Sequence, residues 1–216
     1  AMGLKPGELG EDWNLTKKEK IVELHYNYFK AGANIVKTNT FGANILKMPL
    51  NYDKVIRAAV ENAVEARRRI ESEMDCHAET KYSVPEPATC HPEPVEGEHF
   101  IAFDISSTGK LLKPLGDLDF EDAIRIFRKS FDVALQCEID LILIETMNDG
   151  YETKACVIAA KEAMEAAGVN LPVFVTNVYD ESCRTLSGST PESMVALLEG
   201  LGVDALGVNC SLGPVQ

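Results

Sequence analysis

The sequence lacks the features that most quickly assign a chain to a familiar class. No run approaches the roughly 18 consecutive apolar residues of a membrane helix, and no secretory signal opens the chain. Neither a GxGxxG motif nor a P-loop occurs, which argues against a nucleotide-binding doubly wound fold. The six cysteines show no CxxC spacing, so we expect no disulfide framework and a reducing, cytoplasmic environment.

Positive charge is also scarce. The 216 residues include 21 Lys and Arg against 34 Asp and Glu, a formal net charge of −13. An acidic surface repels phosphate groups, so neither nucleic acid nor a membrane is expected as a partner. With 45% hydrophobic and 25% charged residues, the composition is that of a globular protein, and the length predicts a single domain over 1–216.

Predicted strands alternate with predicted helices along the chain. Five strands are predicted over 34–41, 99–106, 139–147, 172–180 and 203–210. Helices are predicted over 52–75, 120–137 and 150–168, with further helices after Thr16 and after Thr190. The later strands are apolar throughout, which indicates burial on both faces and therefore a parallel sheet in an α/β protein.

Three local signals mark helix boundaries. Thr16 and Glu19 have the spacing of a capping box and predict the start of the first helix. Thr190 precedes Pro191, which suits the first position of a helix. Gly168 closes the helix predicted from 150.

Residues 83–98 differ from the rest of the chain. They are rich in proline and glutamate and show no apolar periodicity, so we predict a flexible insertion without a packed core. The pairs Cys76-His77 and Cys90-His91 suggest zinc at first sight, but their spacing fits no standard ligand set.

Polar residues collect where the predicted strands end. They are Thr38, Asn39, Thr40, Asp104, Glu145, Thr176, Asn177, Asn209 and Cys210. In a β/α barrel the functional groups lie at the carboxyl ends of the strands. This distribution therefore favours a barrel-type fold with its site at that face.

Several blocks resemble one known family. They are AGANIVKTNTFGAN (31–44), STGKLLKPLGDLDFEDA (107–123), LILIETMND (141–149), RTLSGSTPE (184–192) and GVNCSLGP (207–214). In this order they resemble the homocysteine S-methyltransferase family, above all the homocysteine-binding domain of cobalamin-dependent methionine synthases. The resemblance implies a (β/α) TIM barrel of which this chain holds strands two to six of eight, truncated at both ends.

The resemblance also implies a chemistry. Family members hold zinc with three cysteines, one in a GxNC motif, which Cys210 matches, and two in a GGCC motif that this sequence lacks. The zinc takes up the sulfur of L-homocysteine as a thiolate, which accepts a methyl group from methylcobalamin to form methionine. Cobalamin-binding and folate-binding modules or chains would then be partners.

Substrate contacts are implied at further positions. Glu145 would hold the substrate ammonium group, Thr38, Asn39, Thr40 and Phe41 would line the amino-acid pocket, and Asn177, Asp180 and Asn209 would lie at its edge. Each has a structural alternative. Glu145 could accept an interior hydrogen bond, the Thr-Asn-Thr segment could simply end a strand, and Asn177 and Asp180 could cap a loop.

Two other hypotheses remain open. The chain could be a non-catalytic partial barrel that folds by oligomerising, because open sheet edges expose backbone and apolar surface. It could also be an unrelated β/α-barrel enzyme that uses Glu145 and Asp104 as acid and base.

Overall fold

The computed structural model describes residues 3–80, 98–211 and 213, with side chains omitted for 74–80. The predicted insertion, 83–98, lies outside these residues except for Glu98. The helices are η1 (Gly10–Asp12), α1 (Trp13–Thr16), α2 (Lys18–Lys30), α3 (Tyr52–Thr80), α4 (Phe120–Ala134), α5 (Gly150–Ala167) and α6 (Pro191–Gly200). The strands are β1 (Ile35–Lys37), β2 (Phe100–Ile105), β3 (Leu141–Met147), β4 (Val173–Asn177) and β5 (Ala205–Val208).

The five strands form one parallel sheet in the order β1-β2-β3-β4-β5. Each strand pairs with the next strand in the chain, and helices α3 to α6 connect successive strands. The predicted α/β class with a parallel sheet is therefore confirmed. The observed strands are shorter than predicted by a few residues at their ends.

The core lies between the helices and one face of the sheet. Phe103 of β2 and Phe131 of α4 are fully buried and meet edge to face, with ring centroids 5.9 Å apart. Ile142 and Ile144 of β3 belong to the same buried cluster. Because side chains alternate along a strand, the residues between them face the other side of the sheet.

Local caps set several helix boundaries. The Asp149 carboxylate accepts hydrogen bonds from the first amides of α5, and Gly168 ends that helix with φ of 67°. Thr190 and Ser193 form a reciprocal capping box at the start of α6. The capping box predicted at Thr16 is wrong: the Thr16 hydroxyl donates to the Asp12 carbonyl inside α1, and α2 starts after Lys17 without a side-chain cap.

Both edges of the sheet leave apolar side chains exposed. Ile35 on β1 is 45% exposed, and Leu206 and Val208 on β5 are 41% and 58% exposed.

Among the described helices, none is both long and apolar enough to cross a bilayer.

Candidate active site

The carboxyl ends of the parallel strands bring charged residues from three strands together. Lys37 ends β1, Asp104 lies near the end of β2, and Glu145 lies near the end of β3. The Lys37 ammonium donates a hydrogen bond to Oε1 of Glu145 and lies 3.7 Å from Oδ2 of Asp104. We call these three residues the carboxylate cluster.

Glu145 is the best-connected member of this cluster. Glu145 is only 8% exposed, although it carries a carboxylate. Lys37 occupies Oε1, and the side-chain amide of Asn209 donates to Oε2 over 3.3 Å. Both carboxylate oxygens therefore have partners within the protein, which a buried charge requires.

Asp104 lies deeper in the same cluster. It is 2% exposed, and its Oδ1 has no hydrogen-bond partner among the described residues. Burial raises the pKa of Asp104 to about 8, the negative charge of Glu145 adds to this, and Lys37 opposes it. Burial therefore favours the neutral form of Asp104.

The two neighbouring carboxyl groups affect the pKa of Lys37. Its partial burial disfavours the charged form, but the hydrogen bond to Glu145 and the nearby Asp104 outweigh this and raise the pKa of Lys37. Lys37 is therefore a cation under all ordinary conditions. The sequence pattern did not lead us to predict a role for Lys37. It is nevertheless a charged residue at the end of an apolar strand, which is the same signal that identified Glu145.

Thr146 adopts a strained conformation beside Glu145. Its φ is 58°, which a β-branched residue rarely adopts, and the β3–β4 register shifts between Ile144 and Met147. The Thr146 amide donates to Oγ1 of Thr176 and to Oδ1 of Asn209, each over 3.2 Å. These bonds compensate for a strain of about 1–2 kcal/mol.

Cys210 lies on the solvent side of this arrangement. Its side chain is exposed, its φ is 48°, and its Sγ accepts a hydrogen bond from the Thr146 hydroxyl over 3.9 Å. Asn209 donates to the same hydroxyl over 2.7 Å and also to Glu145. A chain of side-chain contacts therefore connects the thiol to the carboxylate cluster, and the thiol is not sealed in the core.

Thr38 and Thr40 are buried behind the cluster. Their hydroxyl oxygens lie 2.6 Å apart, and the Thr40 hydroxyl donates to the Asp104 carbonyl over 2.6 Å. The Asp104 amide donates to Oγ1 of Thr38 over 3.1 Å. These bonds fasten the end of β1 to β2 and hold Asp104 in place, so both hydroxyls already have protein partners.

Asn39 and Phe41 continue the same segment. The side-chain amide of Asn39 donates to the Gly10 carbonyl over 2.8 Å and thereby ties β1 to the N-terminal helices. Phe41 is 39% exposed. A substrate contact by either residue stays a prediction.

Asn177 and Asp180 have other partners. The Asn177 amide is buried and donates to the Met147 carbonyl and to the Thr153 hydroxyl of α5, each over 3.2 Å. The Asp180 carboxylate accepts from the Ser182 amide over 2.8 Å inside an exposed loop. Within the described residues, neither side chain has a recorded hydrogen bond to the carboxylate cluster, and their roles in substrate binding stay predictions.

The described residues contain no group of three or more His, Cys, Asp or Glu side chains arranged to hold a metal ion. Cys137, Cys156, Cys183 and Cys210 are all free thiols. The described residues therefore do not by themselves complete the predicted zinc site, and a role of Cys210 in it stays a prediction.

Comparison with known proteins gives matches over almost the whole chain. Residues 5–216 match the model of the homocysteine S-methyltransferase family. Methionine synthase of Mycobacterium leprae (strain TN) is 30% identical over 205 residues, covering 94% of this chain and 15% of that protein. Methionine synthase of Mycobacterium tuberculosis (strain ATCC 25618 / H37Rv) is 28% identical, covering 94% of this chain and 16% of that protein. The chain thus spans a small part of the length of these relatives.

Solved structures share the fold. The homocysteine methyltransferase MmuM from Escherichia coli in its oxidized form has a TM-score of 0.74 and 20% identity, over 96% of this chain and 68% of that one. Its metallated form has a TM-score of 0.72 and 21% identity, over 96% and 69% of the two chains.

The fold and the site define an α/β protein that collects its functional groups at the carboxyl edge of a parallel sheet. The family model matches nearly every residue of the sequence. The chain belongs to the homocysteine S-methyltransferase family.

Proposed function

We propose that this chain binds L-homocysteine as the methyl acceptor in the formation of methionine. The observation that carries the proposal is the contact chain from the Glu145 carboxylate through Asn209 and Thr146 to the exposed Cys210 thiol. A carboxylate suited to an ammonium group and a thiol suited to a metal thereby lie at one edge of the sheet. Family membership supports the same reading.

In this proposal Glu145 binds the ammonium group of the substrate. Its low exposure strengthens the attraction, because a partly desolvated carboxylate interacts more strongly with a cation than one in bulk water. Asn209 orients the carboxylate through Oε2. The strained Thr146 holds Asn209 from two sides, so the three residues keep a fixed arrangement.

We propose Cys210 as one ligand of zinc. The described residues do not complete the site, since zinc in catalytic centres takes about three protein ligands. The remaining thiolates would come from outside these residues. Bound zinc would keep a substrate thiol deprotonated at neutral pH.

Methylcobalamin is the proposed methyl donor, held by another module, with a folate-binding module as a further partner. The named methionine synthases support this assignment, since the chain covers 15% of the Mycobacterium leprae protein and leaves ample length for other modules.

We further propose that the sheet is part of a β/α barrel and corresponds to strands two to six of eight. The sequential order of five parallel strands supports this, as does the collection of polar groups at their carboxyl ends. A single domain over 1–216 with an insertion at 83–98 remains part of the same proposal.

A second candidate is a non-catalytic partial barrel that folds by oligomerising. The exposed Ile35, Leu206 and Val208 at the two sheet edges favour it, since apolar edge strands invite pairing with another chain. Analytical ultracentrifugation, which gives the oligomeric state, distinguishes this candidate from the main proposal when homocysteine binding is measured on the same sample. An oligomer that binds no homocysteine would support this second candidate.

Isothermal titration with L-homocysteine and L-2-aminobutyrate, in the presence of zinc, tests the main proposal. Glu145→Gln should weaken binding of both ligands at least about tenfold, whereas Glu199→Gln, on the exposed side of α6, should not. In a protein that also supplies the remaining zinc ligands, Cys210→Ala should abolish the preference for the thiol ligand, and Cys183→Ala, which removes another exposed thiol, should keep it. Equal affinity of that zinc-loaded protein for both ligands would reject thiol recognition.

A further inference from the structure

Lys37 already occupies the position that an incoming ammonium group requires. Its ammonium donates to Oε1 of Glu145, while Asn209 donates to Oε2. Each oxygen thus already accepts one hydrogen bond from the protein. A carboxylate can accept more than one bond per oxygen, but a second ammonium group at Glu145 would lie beside the Lys37 ammonium, and this like-charge repulsion favours displacement of Lys37.

Lys37 is the partner that can leave. Its side chain is 53% exposed, against 10% for the Glu145 side chain, and it extends from the edge strand β1. Asn209 has three hydrogen bonds to Glu145 and Thr146, which hold it in the site. Rotating the lysine into solvent breaks its contacts with Glu145 and Asp104 but requires no change in the backbone.

The energetic cost of displacing Lys37 depends on the charges that the ligand carries. A simple amine that takes Glu145 separates Lys37 from that carboxylate and supplies no new counter-ion in exchange, which is unfavourable. An α-amino acid also brings a carboxylate, one carbon away from its ammonium group. The displaced lysine can pair with that carboxylate, so every charge keeps an opposite partner.

We propose that Lys37 is a specificity-determining residue that selects zwitterionic α-amino acids over simple amines by exchanging its ion pair with Glu145 for one with the ligand carboxylate. This inference rests on the proposed function, in which Glu145 binds the substrate ammonium. It adds a residue that recognises the other end of the amino acid.

The test compares L-methionine with 3-(methylthio)propylamine, which has the same chain without the carboxylate. Isothermal titration on the 216-residue chain gives the ratio of the two dissociation constants. In the wild-type chain the amine should bind at least about tenfold more weakly than the amino acid. Lys37→Met should reduce this ratio about tenfold, by tightening amine binding and weakening amino-acid binding.

Two variants control for charge. Lys37→Arg keeps a cation at the same position and should keep the selectivity. Lys129→Met removes one positive charge from the exposed surface of α4 and should leave the ratio unchanged. An unchanged ratio in Lys37→Met, or no binding of either ligand to any variant, would overturn the proposal.

A second measurement applies if Lys37→Met fails to fold. In the wild-type chain with ¹³C-labelled lysine, the Cε resonance of Lys37 should shift on saturation with L-methionine, and its absence in Lys37→Arg assigns it. A resonance that does not move at saturation would overturn the proposal. Failure of the proposed function would look different: homocysteine and L-2-aminobutyrate would bind equally, while the selectivity for amino acids over amines would persist.

Discussion

Replacing Asp104 with asparagine tests whether this carboxyl group is neutral in the folded protein. Burial, reinforced by the Glu145 charge and opposed by Lys37, raises the pKa of Asp104 from 3.8 to about 8. The folded chain then binds the proton more tightly than the unfolded chain. Its stabilising effect is complete below the unfolded pKa and is lost as the pH rises through the folded pKa.

The magnitude follows from the size of the shift. Each pKa unit corresponds to about 1.4 kcal/mol, so the whole shift from 3.8 to about 8 corresponds to roughly 6 kcal/mol at most. Between about pH 5 and about pH 8, the free energy of unfolding of the wild type should fall by roughly 4 kcal/mol relative to Asp104→Asn. The variant has no proton to lose at this position, while all other titrating groups are shared.

Urea unfolding followed by circular dichroism, repeated across this pH range on both proteins, measures the difference. Asp117→Asn removes a carboxylate from the exposed loop before α4 and controls for the change in net charge. A difference between wild type and Asp104→Asn that stays constant with pH would refute the reasoning. It would mean that Asp104 is ionised in the folded protein, with Lys37 as a full counter-ion.

Three further predictions concern the rest of the chain. Brief alkylation of the native protein should modify the exposed Cys210 and spare Cys156, because Cys156 is fully buried and burial raises its pKa. Peptide mass spectrometry identifies the labelled cysteines, and early labelling of Cys156 would contradict the packing of α5. Phe103→Ala should lower the free energy of unfolding by about 3–5 kcal/mol in urea titrations, because a fully buried ring leaves a cavity. A loss below about 1 kcal/mol would show that neighbouring side chains fill the cavity left by the ring. Asp149→Ala should reduce stability by about 1 kcal/mol through loss of the α5 cap, and Asp149→Asn should retain most of it; equal losses would speak against capping.

The fold class could be predicted from the sequence because helix and strand periodicity are local properties. Every predicted strand has an observed counterpart, and Gly168 and Thr190 mark helix boundaries as expected. Thr16 shows the limit of such signals. Its spacing to Glu19 suits a cap, but its hydroxyl bonds within the short preceding helix, a competition that no local motif reveals.

The sequence indicated some of the residues that meet at the carboxyl edge of the sheet, while their roles stay predictions. Glu145 and Cys210 stood out as a charge and a thiol at the ends of apolar strands, and Asn209 contacts both Glu145 and Thr146. Lys37 was missed, although it forms the ion pair that occupies Glu145. Thr146 was missed because its residue type does not indicate a positive φ, which goes together in the structure with a register shift and with bonds to Thr176 and Asn209.

The sequence by itself determined the alternation of strands and helices, the acidic surface and the family. These depend on residue type and spacing along the chain. Only the tertiary structure decided that Lys37, Asp104 and Glu145 share one cluster, since the parallel register brings together residues that lie 108 positions apart. It also decided that the pKa of Asp104 is raised, because the energy of a charge depends on burial and on neighbouring charges, both of which exist only once the strands are assembled.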